Sequence, residues 1–184
     1  TRIAQTVGPD QAAAIYAEML EHILRESVAE DEWERFIFIP PESDANYFQR
    51  RGMKTRLQKG NSIGERMANA FLDPTHHGSE KIVLIGSDIP SLKRADISEA
   101  FERLARVPAV IGPSEDGGFY LLGLSEEHAP TVSCLLRKPI PWSTPKVLAE
   151  LEKWCSVYQL PLGYLPMKTD IDTYEDWIRY QETR

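Results

Sequence analysis

The chain has 184 residues, 42% of them hydrophobic, enough for one substantial core, so residues 1–184 are expected to form a single domain. Its 21 Lys and Arg stand against 28 Asp and Glu, a formal charge of -7, which argues against binding along a nucleic-acid backbone while leaving room for a local phosphate pocket. No apolar run is long enough to span a bilayer, no signal peptide is visible, and Cys134 and Cys155 fit neither a disulfide framework nor a zinc site, so the expected compartment is the reducing cytoplasm.

The chain opens on Thr1-Arg2-Ile3-Ala4 without a methionine and enters a helix almost at once, whereas an α/β domain normally opens with a strand. A first strand is therefore expected upstream of Thr1. Ala12, Ala13, Ile15, Tyr16, Met19, Leu20, Ile23 and Leu24 recur at spacings of three and four and predict an amphipathic helix between Pro9 and Ser27. Strand-forming residues follow from Glu32 to Ile39, stopped by Pro40-Pro41. A short helix over 44–51 and a weak strand from Met53 to Leu57 come next. Asn61 to Phe71 reads as a helix, with Ser62 as N-cap and Glu65 at capping-box spacing, although Gly64 is a poor residue for a first turn.

Ile82-Val83-Leu84-Ile85 is a run of branched residues bounded by Glu80-Lys81 and Gly86, the pattern of a central strand covered on both faces. A helix from Ser91 to Leu104 and a strand from Ala109 to Pro113 continue the alternation. Phe119 to Leu124 follows too soon for a crossover and is expected to run antiparallel. Thr131 to Leu136 can be helical, Thr144 and Pro145 read as the cap and first position of a helix to Trp154, Tyr158 to Leu165 as a last strand, and Asp172 to Tyr180 as a closing helix. The whole pattern predicts a three-layer α/β/α fold around a mostly parallel mixed sheet.

Chemistry is offered mainly by acids. Asp88 stands just past the carboxyl end of the 82–85 strand, where open α/β sheets bind ligands, and its hard oxygens suit a divalent cation bridging two phosphates; capping the next helix is its structural alternative. Asp116 precedes Gly117-Gly118, which let backbone approach a ligand closely, though Asp-Gly is also an ordinary turn. Asp170 and Asp172 alternate as in an extended segment, with one expected at the sheet mouth and the other facing away, and Asp172-Thr173-Tyr174-Glu175 also scans as a helix cap. Arg2 and Arg66 are candidate phosphate partners, Arg66 alternatively pairing with Glu65 or Asp73. Trp142 and Ser143 offer an aromatic surface and a hydroxyl, with core packing the alternative for the indole. His76-His77 lies in a polar loop, and no GxSxG, GxGxxG or GxxxxGK[ST] motif is present, which excludes the usual serine-hydrolase, Rossmann and P-loop signatures.

Several motifs together carry a family resemblance. Gly60 to Met67 matches Gly-x-Leu-Gly-Glu-Arg-Met, Ile85 to Leu92 matches Ile-Gly-x-Asp-x-Pro-x-Leu, and Gly112 to Leu124 matches Gly-Pro-x-x-Asp-Gly-Gly-Tyr-Tyr-Leu-Leu-Gly-Leu. Trp142-Ser143-Thr144 and Asp170-Ile171-Asp172-Thr173 match Trp-Ser-Thr and Asp-Val-Asp-Thr, and Thr1-Arg2-Ile3 matches the end of a Pro-Gly…Lys-Thr-Arg-Leu loop. The chain thus resembles bacterial radical-SAM-associated, glycosyltransferase-like proteins of the nucleotide-diphospho-sugar transferase (glycosyltransferase-A) fold, related to guanylyl- and cytidylyltransferases such as those acting on molybdopterin. The resemblance implies Mg2+ or Mn2+ held by Asp88 and Asp172, with Asp116 binding the acceptor or acting as base. It places Arg2, Arg66, Gly117, Gly118, Trp142 and Ser143 around a nucleotide-activated sugar or a nucleoside triphosphate. A small-molecule acceptor is implied as well. The implied reaction is glycosyl transfer, with nucleotidyl transfer or non-catalytic nucleotide or sugar binding as alternatives.

Overall fold

In a computed structural model, which describes residues 2–28, 32–76 and 78–183, four strands lie in the order β3-β5-β4-β6. They are β3 (Lys81–Ile85), β4 (Ala109–Pro113), β5 (Phe119–Ser125) and β6 (Leu162–Tyr164). Residues 114–118 are too few for a crossover, so the chain doubles back and β5 runs antiparallel to both β4 and β3. β6 returns parallel to β4, leaving three co-directed strands and one reversed.

Period-two alternation sorts the strand side chains onto two helical layers. Ile82, Leu84, Ala109, Ile111, Leu122 and Leu124 share a cluster with α4 (Ile63–Phe71), α6 (Ala129–Leu136) and α7 (Val147–Val157). Val83, Ile85, Val110 and Leu121 face the other way, toward Ile23 of α2 (Pro9–Glu26) and Ile97 and Ala100 of α5 (Arg94–Arg103). Neither face of these strands is left to water, which is why their sequences lack polar alternation. The three-layer α/β/α arrangement follows directly from that apolar pattern.

A separate parallel pair, β1 (Phe36–Ile39) with β2 (Lys54–Leu57), is connected through α3 (Asn46–Gln49) and joined to α2 by Leu24, Ile39 and Phe48. The helices α1 (Arg2–Val7) and α8 (Tyr174–Thr183) close against α2 around Ile3, Met19 and Trp177.

One expectation changes here. β3 is the end strand of its sheet among the described residues, not a central one. All five of its residues are partly exposed, without alternation. Exposure through one face would alternate along the strand; uniform exposure comes from an open edge.

Helix boundaries differ where local chemistry outcompetes propensity. α7 starts at Val147 rather than at Thr144, because the Thr144 hydroxyl donates to the Pro141 carbonyl at 2.7 Å and accepts from the Lys146 amide at 3.4 Å, closing a turn instead of capping the helix. α7 also runs on to Val157, past Trp154, and the turn that ends it at Tyr158 and Gln159 takes the start of the expected last strand. α5 begins at Arg94, later than Ser91, with the Asp96 carboxylate accepting the Lys93 amide at 2.7 Å. Gly64 finds its reason in packing: a Cβ there would lie 2.2 Å from the Leu136 carbonyl oxygen and 2.7 Å from the Trp142 indole.

Candidate functional site

Three loops meet beyond the carboxyl end of β3. The first leaves β3 at Gly86, whose amide donates to the Tyr120 carbonyl at 2.9 Å and extends the β3–β5 ladder by one residue. Ile89 and Leu92 then plunge into the core, leaving Asp88 just ahead of them at the loop surface. Its carboxylate folds back over Gly86, where a Cβ would stand 2.8 Å from Asp88 Oδ1. Asp88 does not cap a helix, since α5 starts only at Arg94. The protein packed around it raises its pKa, and the charges of Asp172 and Asp116 raise it further, although solvent still reaches the side chain.

The second loop joins β4 to β5. Asp116 Oδ1 accepts the Gly118 amide at 2.8 Å and the Ser114 hydroxyl, so this carboxylate organises its own turn. Gly117 has φ 83°, and a Cβ there would lie 2.2 Å from the Pro145 carbonyl oxygen. Its own carbonyl accepts the Leu148 amide at 2.9 Å. The glycine therefore serves close packing of this loop on the 142–148 segment. A Cβ on Gly118 would stand 3.0 Å from Asp116 Oδ1 and 3.1 Å from Ser114 Oγ, so its bareness leaves room for that turn.

The third loop precedes α8. Ile171 is 2% exposed and its amide donates to the Asp88 carbonyl at 2.9 Å, tying this loop to the first. With Ile171 turned inward, Asp170 and Asp172 share the opposite side of an extended segment, because residues two apart project alike. The expectation that one would face away is therefore corrected. Burial first, then the charges of Asp116, Asp172 and Asp88, push Asp170 up to about 6. Asp172 is not the helix cap: Thr173 and Asp176 exchange bonds in that role, at 2.9 Å from the Thr173 amide and 3.2 Å from the Asp176 amide.

The structure thus couples Asp88, Asp116, Asp170 and Asp172 electrostatically. The sequence offered Asp170 only as the alternate of Asp172 and gave it no role of its own; the structure sets it beside the other three. Arg2 joins the cluster directly, Nη1 donating to Asp172 Oδ2 at 2.9 Å, with both side chains largely open to water. Thr1 and His77 lie outside the described residues. Arg66 makes neither expected ion pair. Its Nε donates to the Gly60 carbonyl at 3.3 Å, while Glu65 accepts the Asn61 amide at 2.7 Å and Asp73 stands 3.9 Å from Arg56. Trp142 packs over Gly64 and edge-on to Phe119, centroids 6.5 Å apart, and Ser143 beside it is exposed with φ 62°. That left-handed backbone is uncommon for a residue with a side chain.

The donor set fits a hard divalent cation. Oxygen ligands suit Mg2+ or Mn2+; burial is the larger cause of the upward shifts of Asp88 and Asp170, and the charges of the neighbouring acids add to both. No group of three acidic, His or Cys side chains able to cage an ion occurs among the described residues. Mg2+ needs no such cage, since it is commonly held by one or two carboxylates, water and substrate phosphates.

The fold recurs in solved structures. A provisionally named nucleotide-diphospho-sugar transferase from Desulfovibrio desulfuricans G20 is 27% identical, with TM-score 0.85 over 100% of this chain and 80% of that one. CMP:2-keto-3-deoxy-manno-octonic acid synthetase, crystallised with CTP, is 11% identical, with TM-score 0.63 over 90% of this chain and 86% of its own. Rv0371c of Mycobacterium tuberculosis H37Rv, crystallised with manganese, is 15% identical, with TM-score 0.54 over 92% of this chain and 86% of that one. The last two likenesses concern the fold. No curated protein matches the sequence significantly. No helix among the described residues is long and apolar enough to cross a membrane. A family model described as an uncharacterised protein conserved in bacteria, DUF2064, matches residues 23–144, and the chain belongs to that family.

Proposed function

We propose that the chain, acting as one domain, transfers a glycosyl group from a nucleotide-diphospho-sugar to a small-molecule acceptor with the help of Mg2+ or Mn2+. The observation that carries this reading is the joining of the loops of Asp88, Asp116, Asp170 and Asp172 by the Ile171–Asp88 and Lys168–Pro113 backbone bonds, near enough that the charges of Asp116 and Asp172 raise both Asp88 and Asp170. Like charges gathered there are unfavourable unless a cation answers them. The likeness to the Desulfovibrio protein over the whole chain supports the class of substrate.

Asp88 and Asp172 are the residues that would hold the ion, whose contribution is to neutralise the departing diphosphate. Arg2, already within 2.9 Å of Asp172, stands where its guanidinium can exchange that carboxylate for a phosphate oxygen. Asp116 is held by Ser114 and Gly118 through Oδ1, so its other oxygen can take a proton from the acceptor. The acceptor oxygen then forms its bond to the anomeric carbon, the bond from that carbon to the diphosphate oxygen breaks, and the proton rests on Asp116. Trp142 and Ser143, which precede Pro145 where its carbonyl packs on Gly117, are assigned to the sugar or acceptor. Arg66 and the Gly117-Gly118 backbone complete the proposed nucleotide and acceptor contacts.

A second reading, nucleotidyl transfer, draws on the shared fold with a synthetase crystallised with CTP. The same acids would then assist attack of a substrate phosphate on the α-phosphate of a triphosphate, with pyrophosphate leaving. A panel of nucleotide sugars and nucleoside triphosphates, with and without Mn2+, separates the two. Metal-dependent release of a nucleoside diphosphate from a nucleotide sugar is expected; pyrophosphate release from a triphosphate, with nucleotide sugars inert, would replace the first reading by the second.

A further inference from the structure

Lys168 sits where the three acid-bearing loops join, and no function has yet been assigned to it. Its amide donates to the Pro113 carbonyl at 3.1 Å and its carbonyl accepts the Glu115 amide at 3.0 Å, fastening the third loop alongside the strand that leads to Asp116. Its side chain goes the other way. Passing 5.9 Å from the Tyr120 ring centroid, Nζ donates to the Ser91 carbonyl at 3.2 Å and pairs with Asp96 at 3.0 Å. Ser91 belongs to the loop that carries Asp88, and Asp96 caps α5 just after it.

The Lys168–Asp96 pair is also unlike the other ion pairs among the described residues. Its side chains are only 14% and 13% exposed, whereas Arg2–Asp172 is 67% and 45% exposed. An exposed pair contributes little, but a shielded one holds its geometry, because separating the partners strands a charge away from water. Lys168 thus connects by backbone to the Asp116 loop, by side chain to the Asp88 loop, and by sequence to Asp170 and Asp172. These loops carry carboxylates that repel one another, so something must hold them at a common spacing before any ligand arrives.

We infer that Lys168, through its shielded bond to Asp96, is a positioning residue that holds Asp88 and the Asp170–Asp172 segment in register for cation binding. This inference rests on the proposed cation site. It assigns Lys168 no contact with substrate or metal.

The test compares wild type with Lys168→Met and Lys168→Arg at a temperature where circular dichroism shows each folded. Two quantities are read: Mn2+ affinity by titration, and exchange of the Ile171 amide, which reports the bond to the Asp88 carbonyl. Lys168→Met should weaken Mn2+ binding about tenfold or more, the range seen for residues that orient metal ligands, and accelerate Ile171 exchange, while Lys168→Arg stays near wild type. Should Lys168→Met fail to fold, Lys168→Met with Asp96→Asn removes both charges and takes its place. Folded variants with wild-type Mn2+ affinity, or with unchanged Ile171 exchange, would overturn the inference. Wild-type protein that binds no Mn2+ would instead defeat the proposed cation site, and the exchange measurement would then decide whether Lys168 holds the loops.

Discussion

Burial, followed by the charges of Asp116, Asp172 and Asp88, pushes Asp170 up to about 6. This is the reverse of a salt-bridged carboxylate. Between about pH 4 and 6 the folded chain keeps a proton that the unfolded chain has released, so stability falls as pH rises through that window. Asp170→Asn removes the effect, and its stability relative to wild type should improve by on the order of 1 kcal/mol between pH 4 and pH 7.5, allowing for solvent screening. Urea midpoints at both pH values check this; a pH-independent difference would show that Asp170 titrates normally. Gly64 makes a steric demand of a different kind. With its Cβ position 2.2 Å from a backbone oxygen, Gly64→Ala forces α4 away from the end of α6 and should cost about 1–3 kcal/mol in thermal or urea unfolding, despite alanine's better helix propensity. The sequence shows Gly64 only as a weak helix residue. Its real partner, Leu136, is far along the chain and invisible to local pattern.

At the scale of elements, α2, α4 and α8 were legible because their apolar spacing is a local property, although α8 is capped by Thr173 with Asp176, one residue later than Asp172 with Glu175. Ser62 accepts the Glu65 amide at 3.2 Å as its spacing implied, though Glu65 reaches back one residue further than expected, to the Asn61 amide. The end of α7 was not legible. Tyr158 favours strand by composition, yet it ends the helix, followed by Gln159 at φ 53°. The Gln159 amide donates to Ser156 at 3.0 Å and the Leu160 amide to Cys155 at 2.9 Å, the two bonds of a Schellman cap, with glutamine where glycine is usual. Leu160 is buried, and that contact with the core outweighs the left-handed strain. Gln159→Gly should relieve it and raise stability by about 0.5–1 kcal/mol, read from the denaturant midpoint. A fall in the midpoint would mean that the glutamine side chain stabilises the cap in another way.

Across the whole molecule, the apolar runs at 82–85, 109–113 and 119–124 foretold a sheet sandwiched between helices, since residues covered on both faces need no polar alternation. Sheet order was harder to read. It is set by pairings between distant segments, and the position of β3 at the sheet edge shows only in its uniform partial exposure. The acid site was partly legible for a related reason. Asp88, Asp116 and Asp172 each follow a recognisable strand or precede a recognisable helix, but their convergence depends on hydrogen bonds across the chain, such as Ile171 to Asp88 and Lys168 to Pro113. The measurement closest to the central claim is titration of Mn2+ into the protein at pH 7.5, alone and with a panel of nucleoside diphosphates. The account predicts a single ion bound more tightly when diphosphate is present, with affinity reduced about tenfold or more in folded Asp88→Asn and Asp172→Asn variants. Absence of binding, or binding that neither substitution alters, would contradict it.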